Sequence, residues 1–480
     1  MILDARNPDV SLNRTTELAI VGAGPAGLVL ARELAELTPV LLIESGGVAP
    51  DPQVAALQEG ESTGIDYPLT ETRSRGFGGS SSLWAGYCAQ FDPHDFAQRP
   101  WVADSGWPFG VEELTPYYSR VARLLNLGHA DFDARAITAR AGSRLPLDGR
   151  QLAPTLWRFG TPIQRFGESF QPDFASSSTI TTLTHATVAD IRLGAGLDHV
   201  AELEIRTLNG RRGHIRPSMV VLACGGLETP RILLNANRQL ACGLGNGYDL
   251  VGRYFMEHPH FTIDAFELLQ PDAFADWTAR GCGGNGLEYL SCLGLNGEAQ
   301  QQLGVLNARL HLYRTPAMAE DAAPRAGLFM EQAPNPNSRV TLSEQADALG
   351  NRRLRLYWRL SELDRLSFVR TAQALAATFE RKGQGRALGP PPVAPSPLYS
   401  NHHLGTTRMA ESRHKGVVDP NGKVHGIRNL YISGGSVFPT VSWANPTFTL
   451  MALTYRLANH LQSLLRPGCQ GTSHDPKCKE

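Results

Sequence analysis

The spacing of apolar positions marks out the elements of this chain. Leu18–Val21 is a four-residue apolar run, and Gly22-Ala23-Gly24-Pro25-Ala26-Gly27 follows it directly. Leu28, Leu30, Ala31, Leu34 and Ala35 then recur at helical spacing, and Val40–Ile43 is a second apolar run closed by Glu44. Short runs apolar on both faces predict strands of a buried parallel sheet, and the spacing between them predicts a helix over Ala26–Leu37, so Glu17–Gly46 reads as a βαβ unit. Farther on, Val111–Leu127 is moderately amphipathic and predicts a helix. Ala130–Gln171 has little pattern and is expected to cover the active site. Ser176–Leu193 and Ala201–Thr207 are rich in β-branched residues and read as paired strands, and Pro217–Cys224 as a buried strand. Thr229-Pro230 is expected to be the N-cap and first residue of the next helix.

From His260 to Leu360 the pattern becomes all-β. Six strands are expected at Phe261–Leu269, Leu287–Leu295, Val305–Tyr313, Leu328–Gln332, Arg339–Ser343 and Leu354–Leu360. Ser361 and Asp364 form a capping-box start for a helix reaching about Arg381. Gly389–Pro397 reads as a stiff polyproline-like linker. Leu430–Ser433 is a further strand, and Asn445-Pro446 is an N-cap and first-turn pair for a helix over Thr447–Leu461. No internal repeat is visible.

Composition narrows the class. At 480 residues, two intertwined domains are expected. The balance of 45 basic and 46 acidic residues argues against a general nucleic-acid or anionic-membrane partner. The seven cysteines show no CxxC or Cys/His metal spacing, which favours a reduced, cytoplasmic protein over a disulfide scaffold; Cys469 and Cys478 in the polar tail leave a tail disulfide as the alternative. The N-terminus has neither a basic n-region nor a long apolar h-region, and no apolar stretch is long enough for a membrane span.

The chemistry begins at the first turn. In G-x-G-x-x-G, Gly22 permits the tight turn, Gly24 lets the backbone approach a pyrophosphate, and Gly27 lets helix and strand pack closely. The helix N-terminus there, around Ala26, favours an anionic diphosphate. Glu44 ends the second strand, where an acid accepts hydrogen bonds from a ribose diol. This motif predicts dinucleotide binding without separating FAD from NAD. The segment Arg73–Gly86, RSRGFGGSSSLWAG, suits close backbone approach to a planar ligand, with serine hydroxyls and amides as donors; Phe77, Leu83 and Trp84 are too apolar for a solvated linker.

The βαβ unit and RGFGGSSSLWAG resemble the glucose–methanol–choline (GMC) family of FAD-dependent oxidoreductases. So do VVLACGGLETPRILLNA (Val220–Ala236), VGRYFMEHPH (Val251–His260), HHLGTTRM and the block Asn429–Leu461. The resemblance covers about residues 15–465 and is closest in motif to the bacterial sugar dehydrogenase and pyranose oxidase-like branch. It implies a Rossmann-like α/β FAD-binding domain (15–92, 176–257 and 398–466) and an α+β substrate domain with a six-stranded antiparallel sheet (93–175 and 258–397), followed by a tail, 467–480. It implies FAD contacts from Gly22, Gly24, Ala26, Gly27, Glu44, Ser45 and Arg75, and from Gly78, Gly79, Ser80, Ser81 and Trp84. Val188 would lie near the adenine, and Cys224, Gly225, Gly435, Ser436, Pro446 and Thr447 would line the rest of the cofactor. Members with covalent FAD carry a histidine where this chain has Leu83, so the resemblance implies a non-covalent cofactor.

Oxidising an alcohol needs a base for the hydroxyl proton, a task suited to histidine. His402-His403-Leu404-Gly405-Thr406 matches the family's H-x-x-G-T block. His402 is thereby the matching catalytic histidine, with His403 the alternative. Asn445 matches the partner position, where an asparagine would hydrogen-bond the substrate oxygen. Trp443 is expected either in the pocket wall or in the core, Arg408 in an intramolecular ion pair, and His258, His260 and Glu331 in structural roles. The resemblance implies FAD-dependent oxidation of a primary or secondary alcohol, sugar, glycoside or polyol-like, with dioxygen or a quinone or haem partner as electron acceptor. The alternatives are a non-redox lyase of the hydroxynitrile-lyase kind and oxidation of a specialised biosynthetic alcohol.

Overall fold

The computed structural model describes the chain except residues 141–150, 264–265, 270–273, 275–276, 278–279, 283–287, 314–323, 390–396 and 467–480. The proline-rich linker therefore falls largely outside the described residues, and the tail cysteines wholly so.

The two apolar runs form adjacent parallel strands, Arg14–Val21 and Val40–Ile43, with Leu18, Ala19, Ile20 and Leu42 fully buried. They sit in the middle of an eight-stranded sheet. On one side follow Ile180–Thr184 and Ile2–Asp4, both parallel. On the other side lies the long strand Arg212–Leu222. The far edge of that strand is shared. Its first half pairs antiparallel with Val200–Arg206, which pairs in turn with Thr187–Leu193, while its last residues pair in parallel with Leu430–Ile432. The sheet thus draws strands from both ends and the middle of the chain. The helix Pro25–Leu34 opens on Gly24 without a side-chain cap and packs against the C-terminal helix Thr447–Leu465.

Backbone proximity explains the first glycines. Gly22 has φ +102°, and a Cβ there would lie 2.6 Å from the carbonyl oxygen of Ala223 on the neighbouring strand. A Cβ on Gly27 would lie 1.9 Å from the carbonyl oxygen of Gly22, so only glycine lets the helix sit this close to its strand.

The second sheet has six strands, all antiparallel, in the order His260–Ile263, Arg325–Met330, Ala308–Tyr313, Glu288–Leu295, Gly281–Cys282, with Leu152–Phe159 also on Glu288–Leu295. Its membership differs from the sequence expectation. Arg339–Ala346 and Arg352–Trp358 leave it for a three-stranded sheet with Gly60–Gly64. Leu152–Phe159 joins from the stretch that showed no pattern, because Pro154 interrupts its alternation and hides it from a strand reading. The capping-box helix forms over Glu362–Arg381, with Ser361 and Asp364 in reciprocal contact. The predicted helix at Val111–Leu127 is a short turn, Val111–Glu113, then a helix, Thr115–Leu124.

One expected helix start is wrong. The helix begins at Gly225 and runs to Asn235, so Thr229-Pro230 lies inside it. Pro230 has no N–H for the carbonyl of Gly226, four residues back. The hydroxyl of Thr406 donates to that carbonyl instead, at 2.6 Å. The missing helical hydrogen bond thereby docks the His402–Thr407 loop. Among the described residues no helix is long and apolar enough to cross a membrane.

Candidate active site

A cavity of about 620 Å³ runs between the first βαβ turn and the His402 loop. Gly22, Gly24 and Ala26 line it at the turn, and Glu44, Ser45 and Arg75 beside them. Gly79, Ser80, Ser81 and Trp84 contribute from the serine-rich segment, with Val188, Cys224 and Gly225 from the sheet side. Gly435, Pro446, Thr447, Asn445 and His402 close the other end. Gly27, Gly78 and Ser436 lie behind the wall. A Cβ on Gly78 would meet the backbone of Gly167 at 2.6 Å, and the Ser436 hydroxyl accepts from Thr407 Oγ1 at 2.7 Å.

At the turn, the buried Glu44 carboxylate accepts from the N–H groups of Ala23 and Gly46, both at 2.8 Å. Burial raises its pKa, and these N–H bonds oppose the rise. Arg75 donates to Ser45 Oγ at 2.9 Å and pairs with Glu228 at 2.6 Å. Ser81 Oγ donates to the carbonyl of Gly78, and Trp84 Nε1 to that of Gln164.

The other end is a chain of hydrogen-bonded rings. Asn445 Nδ2 lies 3.3 Å from His402 Nε2, while Asn445 Oδ1 accepts from Trp157 Nε1 at 2.8 Å. The Asn445 side chain is therefore engaged by these two groups, with its second amide hydrogen left over; the helix Thr447–Leu465 has Pro446 at its N-cap and no side-chain cap, contrary to the capping expectation. His402 Nδ1 lies 2.8 Å from His258 Nδ1, and His258 Nε2 lies 3.0 Å from the carbonyl of Val441. Burial lowers the pKa of His402 well below the usual histidine value, and that of His258 to about 4. Both rings are neutral at neutral pH.

Beneath these rings the carboxylate of Glu257 is fully buried. It accepts from the backbone N–H of His402 at 2.5 Å, of His258 at 2.6 Å and of Ser400 at 3.0 Å, and from the Tyr67 hydroxyl at 2.9 Å. Burial pushes its pKa up to about 7, against the pull of these donors. His403 turns away from Asn445, packing edge-on against Tyr67. Around the open side of His402 stand Trp157, Phe329, Leu290, His260 and His311. His260 Nε2 and His311 Nε2 are 2.8 Å apart, and burial brings His311 down to about 3.

The family model described as GMC oxidoreductase matches residues 334–454, which include His402 and Asn445. Over 93% of this chain and 95% of its own length, 2-methyl-1,2-propanediol dehydrogenase of Mycolicibacterium austroafricanum is 26% identical. Paromamine 6'-oxidase of Streptomyces fradiae is 24% identical over 95% of this chain and 92% of its own length. Among solved structures, pyridoxine 4-oxidase from Mesorbium loti superposes with a TM-score of 0.62 over 93% of this chain and 99% of its own, at 20% identity, which shows a shared fold. Residues 334–454 thus carry a GMC oxidoreductase domain, and the two relatives are similar to the chain over more than nine-tenths of its length. GMC oxidoreductases are FAD-binding flavoproteins.

The cavity fits such a cofactor. Its volume lies near the middle of the range for small-molecule sites. A Cβ added to Gly24, Gly225 or Gly434 would meet nothing within 4 Å, so these backbones face open space where a ligand can approach closely. The N-terminus of Pro25–Leu34, with its unpaired first-turn N–H groups, opens beside Gly24.

For Trp443 the core alternative holds, and some other residues differ from the sequence expectation. Trp443 is 2% exposed, with Nε1 on Asp92, and stands edge-on behind Trp157, which takes the wall position. Arg408 donates to the backbone carbonyl of Asp104 and covers the Tyr254 ring, rather than pairing with a carboxylate. Glu331 is structural as expected, in a buried bidentate pair with Arg99. His258 touches His402 and His260 lines the cavity, so neither is remote from the site. Sequence reading passed over Trp157 and Glu257. The acid and two histidines of M-E-H-P-H were the signal available for Glu257, whereas Trp157 lay in the stretch without pattern.

Proposed function

We propose that this protein is a GMC oxidoreductase that oxidises a primary or secondary alcohol of the polyol or sugar kind, with His402 as the base and Asn445 as a donor to the substrate oxygen. The observation that carries the reading is the pairing of His402 Nε2 with Asn445 Nδ2 at 3.3 Å, at one end of the cavity whose other end bears the dinucleotide fingerprint. FAD, when bound, supplies the acceptor for the hydride that leaves the carbinol carbon.

His402, neutral because it is buried, can take the hydroxyl proton without first losing one of its own, once the substrate hydroxyl displaces the Asn445 N–H from its lone pair. Asn445 cannot take a proton; its N–H stabilises the oxygen as the O–H bond breaks. Trp157 and Phe329 give the substrate an apolar wall. The His260–His311 pair offers both a donor and an acceptor at neutral charge, a match for hydroxyl groups beyond the reacting one. Both relatives named above are redox enzymes, one a dehydrogenase and one an oxidase, which favours oxidation over the lyase reading. A hydrocarbon at Leu83 supports a non-covalent cofactor, which acid precipitation would release into the supernatant. The described cysteines Cys88, Cys224, Cys242 and Cys292 are free thiols, in keeping with a cytoplasmic setting.

The test is anaerobic mixing of the holoenzyme with sugars, glycosides, diols and simple alcohols while following the visible flavin band. Bleaching by polyols is expected, and admitting air then separates an oxidase from a dehydrogenase served by a quinone or haem partner. In His402→Ala the flavin is retained but bleaches at least about 10²-fold more slowly. Reduction of that variant at the wild-type rate refutes the role of His402.

A further inference from the structure

The rings at the closed end of the cavity determine, between them, where one proton sits. From one side, the carbonyl of Val441 can only accept, so His258 Nε2, at 3.0 Å from it, carries hydrogen. A neutral His258 then has its lone pair on Nδ1. His402 Nδ1, at 2.8 Å from that lone pair, must donate, which leaves His402 Nε2 unprotonated.

The opposite side gives the same answer independently. The Trp157 indole can only donate, so the atom of Asn445 at 2.8 Å from it is the oxygen. The amide N–H₂ then faces His402 Nε2, which must accept. Reversing the His402 tautomer would set two lone pairs against each other at His258 and two hydrogens against each other at Asn445. The spacing of the two imidazoles is held as well, because the two oxygens of Glu257 take the backbone N–H groups of His402 and His258, one each.

We propose that His258, anchored on the Val441 carbonyl, is a positioning residue that locks His402 in its Nδ1–H tautomer and so directs Nε2 at the substrate hydroxyl. This rests on His402 being the base. When the substrate O–H bond breaks, its proton forms a bond to His402 Nε2, and the C–H electron pair leaves with the hydride to the bound FAD. His402 is then an imidazolium, and its Nδ1–H bond to His258 becomes charge-assisted. His258 stabilises that cation while keeping its own proton on Val441, so no second proton transfer is needed.

The first test reads the proton directly. Holoenzyme labelled with nitrogen-15 histidine is studied by long-range nitrogen–proton NMR, with the His402 signals identified by their loss in His402→Gln. The expected pattern is Nδ1 protonated and Nε2 bare on His402, and the opposite on His258. A protonated Nε2 on resting His402 overturns the proposal.

The second test uses two substitutions that divide the ring. In His258→Asn, Oδ1 can occupy the place of Nδ1 and still accept from His402. In His258→Gln, the side-chain amide can reach Val441 but leaves no acceptor there. His258→Gln and His258→Phe are expected to slow flavin reduction roughly 10- to 100-fold, part of the about 10²–10⁴ that base catalysis contributes, with substrate affinity and flavin content unchanged. His258→Asn is expected to recover most of that rate. Equal rates in the Asn and Gln variants, or a Phe variant as fast as wild type, overturn the proposal. If the Phe variant loses its flavin, the Asn–Gln comparison decides. Failure of every alcohol to reduce the wild type would refute the proposed function instead, and the NMR pattern would still decide the tautomer.

Discussion

Asn445→Asp puts a charge where the native protein has a neutral donor, with almost no change in shape. Trp157 Nε1 continues to donate to one carboxylate oxygen, which leaves the other about where Nδ2 stands now, 3.3 Å from His402 Nε2. At an effective dielectric constant of about 20, unit charges at that separation attract by about 5 kcal/mol. The pKa of a protonated His402 rises accordingly, by up to about 3.7 units. The native ring begins well below the usual histidine value, so the variant holds a proton on Nε2 over a pH range where the native ring is bare, and there it cannot accept another. The assay is the pH dependence of anaerobic flavin reduction. The acid limb of the variant is expected to move to higher pH by two units or more (~3 to 5 kcal/mol of stabilised cation), with partial recovery of rate above it. The plateau stays below wild type because the carboxylate has no N–H for the substrate oxygen. An acid limb that does not move refutes the pairing of these two side chains in the working enzyme.

Gly27→Ala is expected to yield protein with little bound flavin and a lowered melting temperature, because the new methyl falls 1.9 Å from a backbone oxygen that cannot yield; the flavin-to-protein absorbance ratio reads this. Arg99→Ala leaves Glu331 as a buried charge and is expected to cost about 3–5 kcal/mol in urea unfolding, with Arg99→Met/Glu331→Leu recovering a part. His258 titrates at about 4 in the folded chain and near 6.5 when unfolded, so below 6.5 the unfolded state takes a proton that the folded state refuses. Its contribution to stability is complete above pH 6.5 and is lost as pH falls towards 4. Between pH 7.5 and 5.0 the His258→Phe variant should therefore lose about 2 kcal/mol less unfolding free energy than wild type, measured by urea titration at the two pH values.

The cofactor half of the site was legible because its determinants are local. Strand, glycine turn, helix and terminal acid lie within thirty residues, and close packing there admits only particular residue types. His402 and Asn445 were legible only through resemblance, since nothing near either residue in sequence says that they meet. The misread details share a cause. Thr229-Pro230 carries a helix-start signal, but the Thr406 hydroxyl takes the carbonyl that Pro230 leaves free, and the helix runs through. Asn445-Pro446 carries another such signal, but Trp157 and His402 compete successfully for the amide. In both cases a partner distant in the chain replaced the local one. The same holds for Leu152–Phe159, whose place in the second sheet comes from eight pairings with Glu288–Leu295 and not from its own alternation.

The order of strands in the eight-stranded sheet governs how the protein is made. Arg14–Val21 leaves the ribosome some two hundred residues before its neighbour Arg212–Leu222, and Leu430–Ile432 closes the edge some two hundred residues later still. Until then the first βαβ unit has a bare flank and the cofactor cradle lacks its floor. In that interval the unpaired apolar strand edges are templates for pairing between chains. The cavity wall includes Gly435, Pro446 and Thr447, so fragments cut before the last helix should not retain the cofactor.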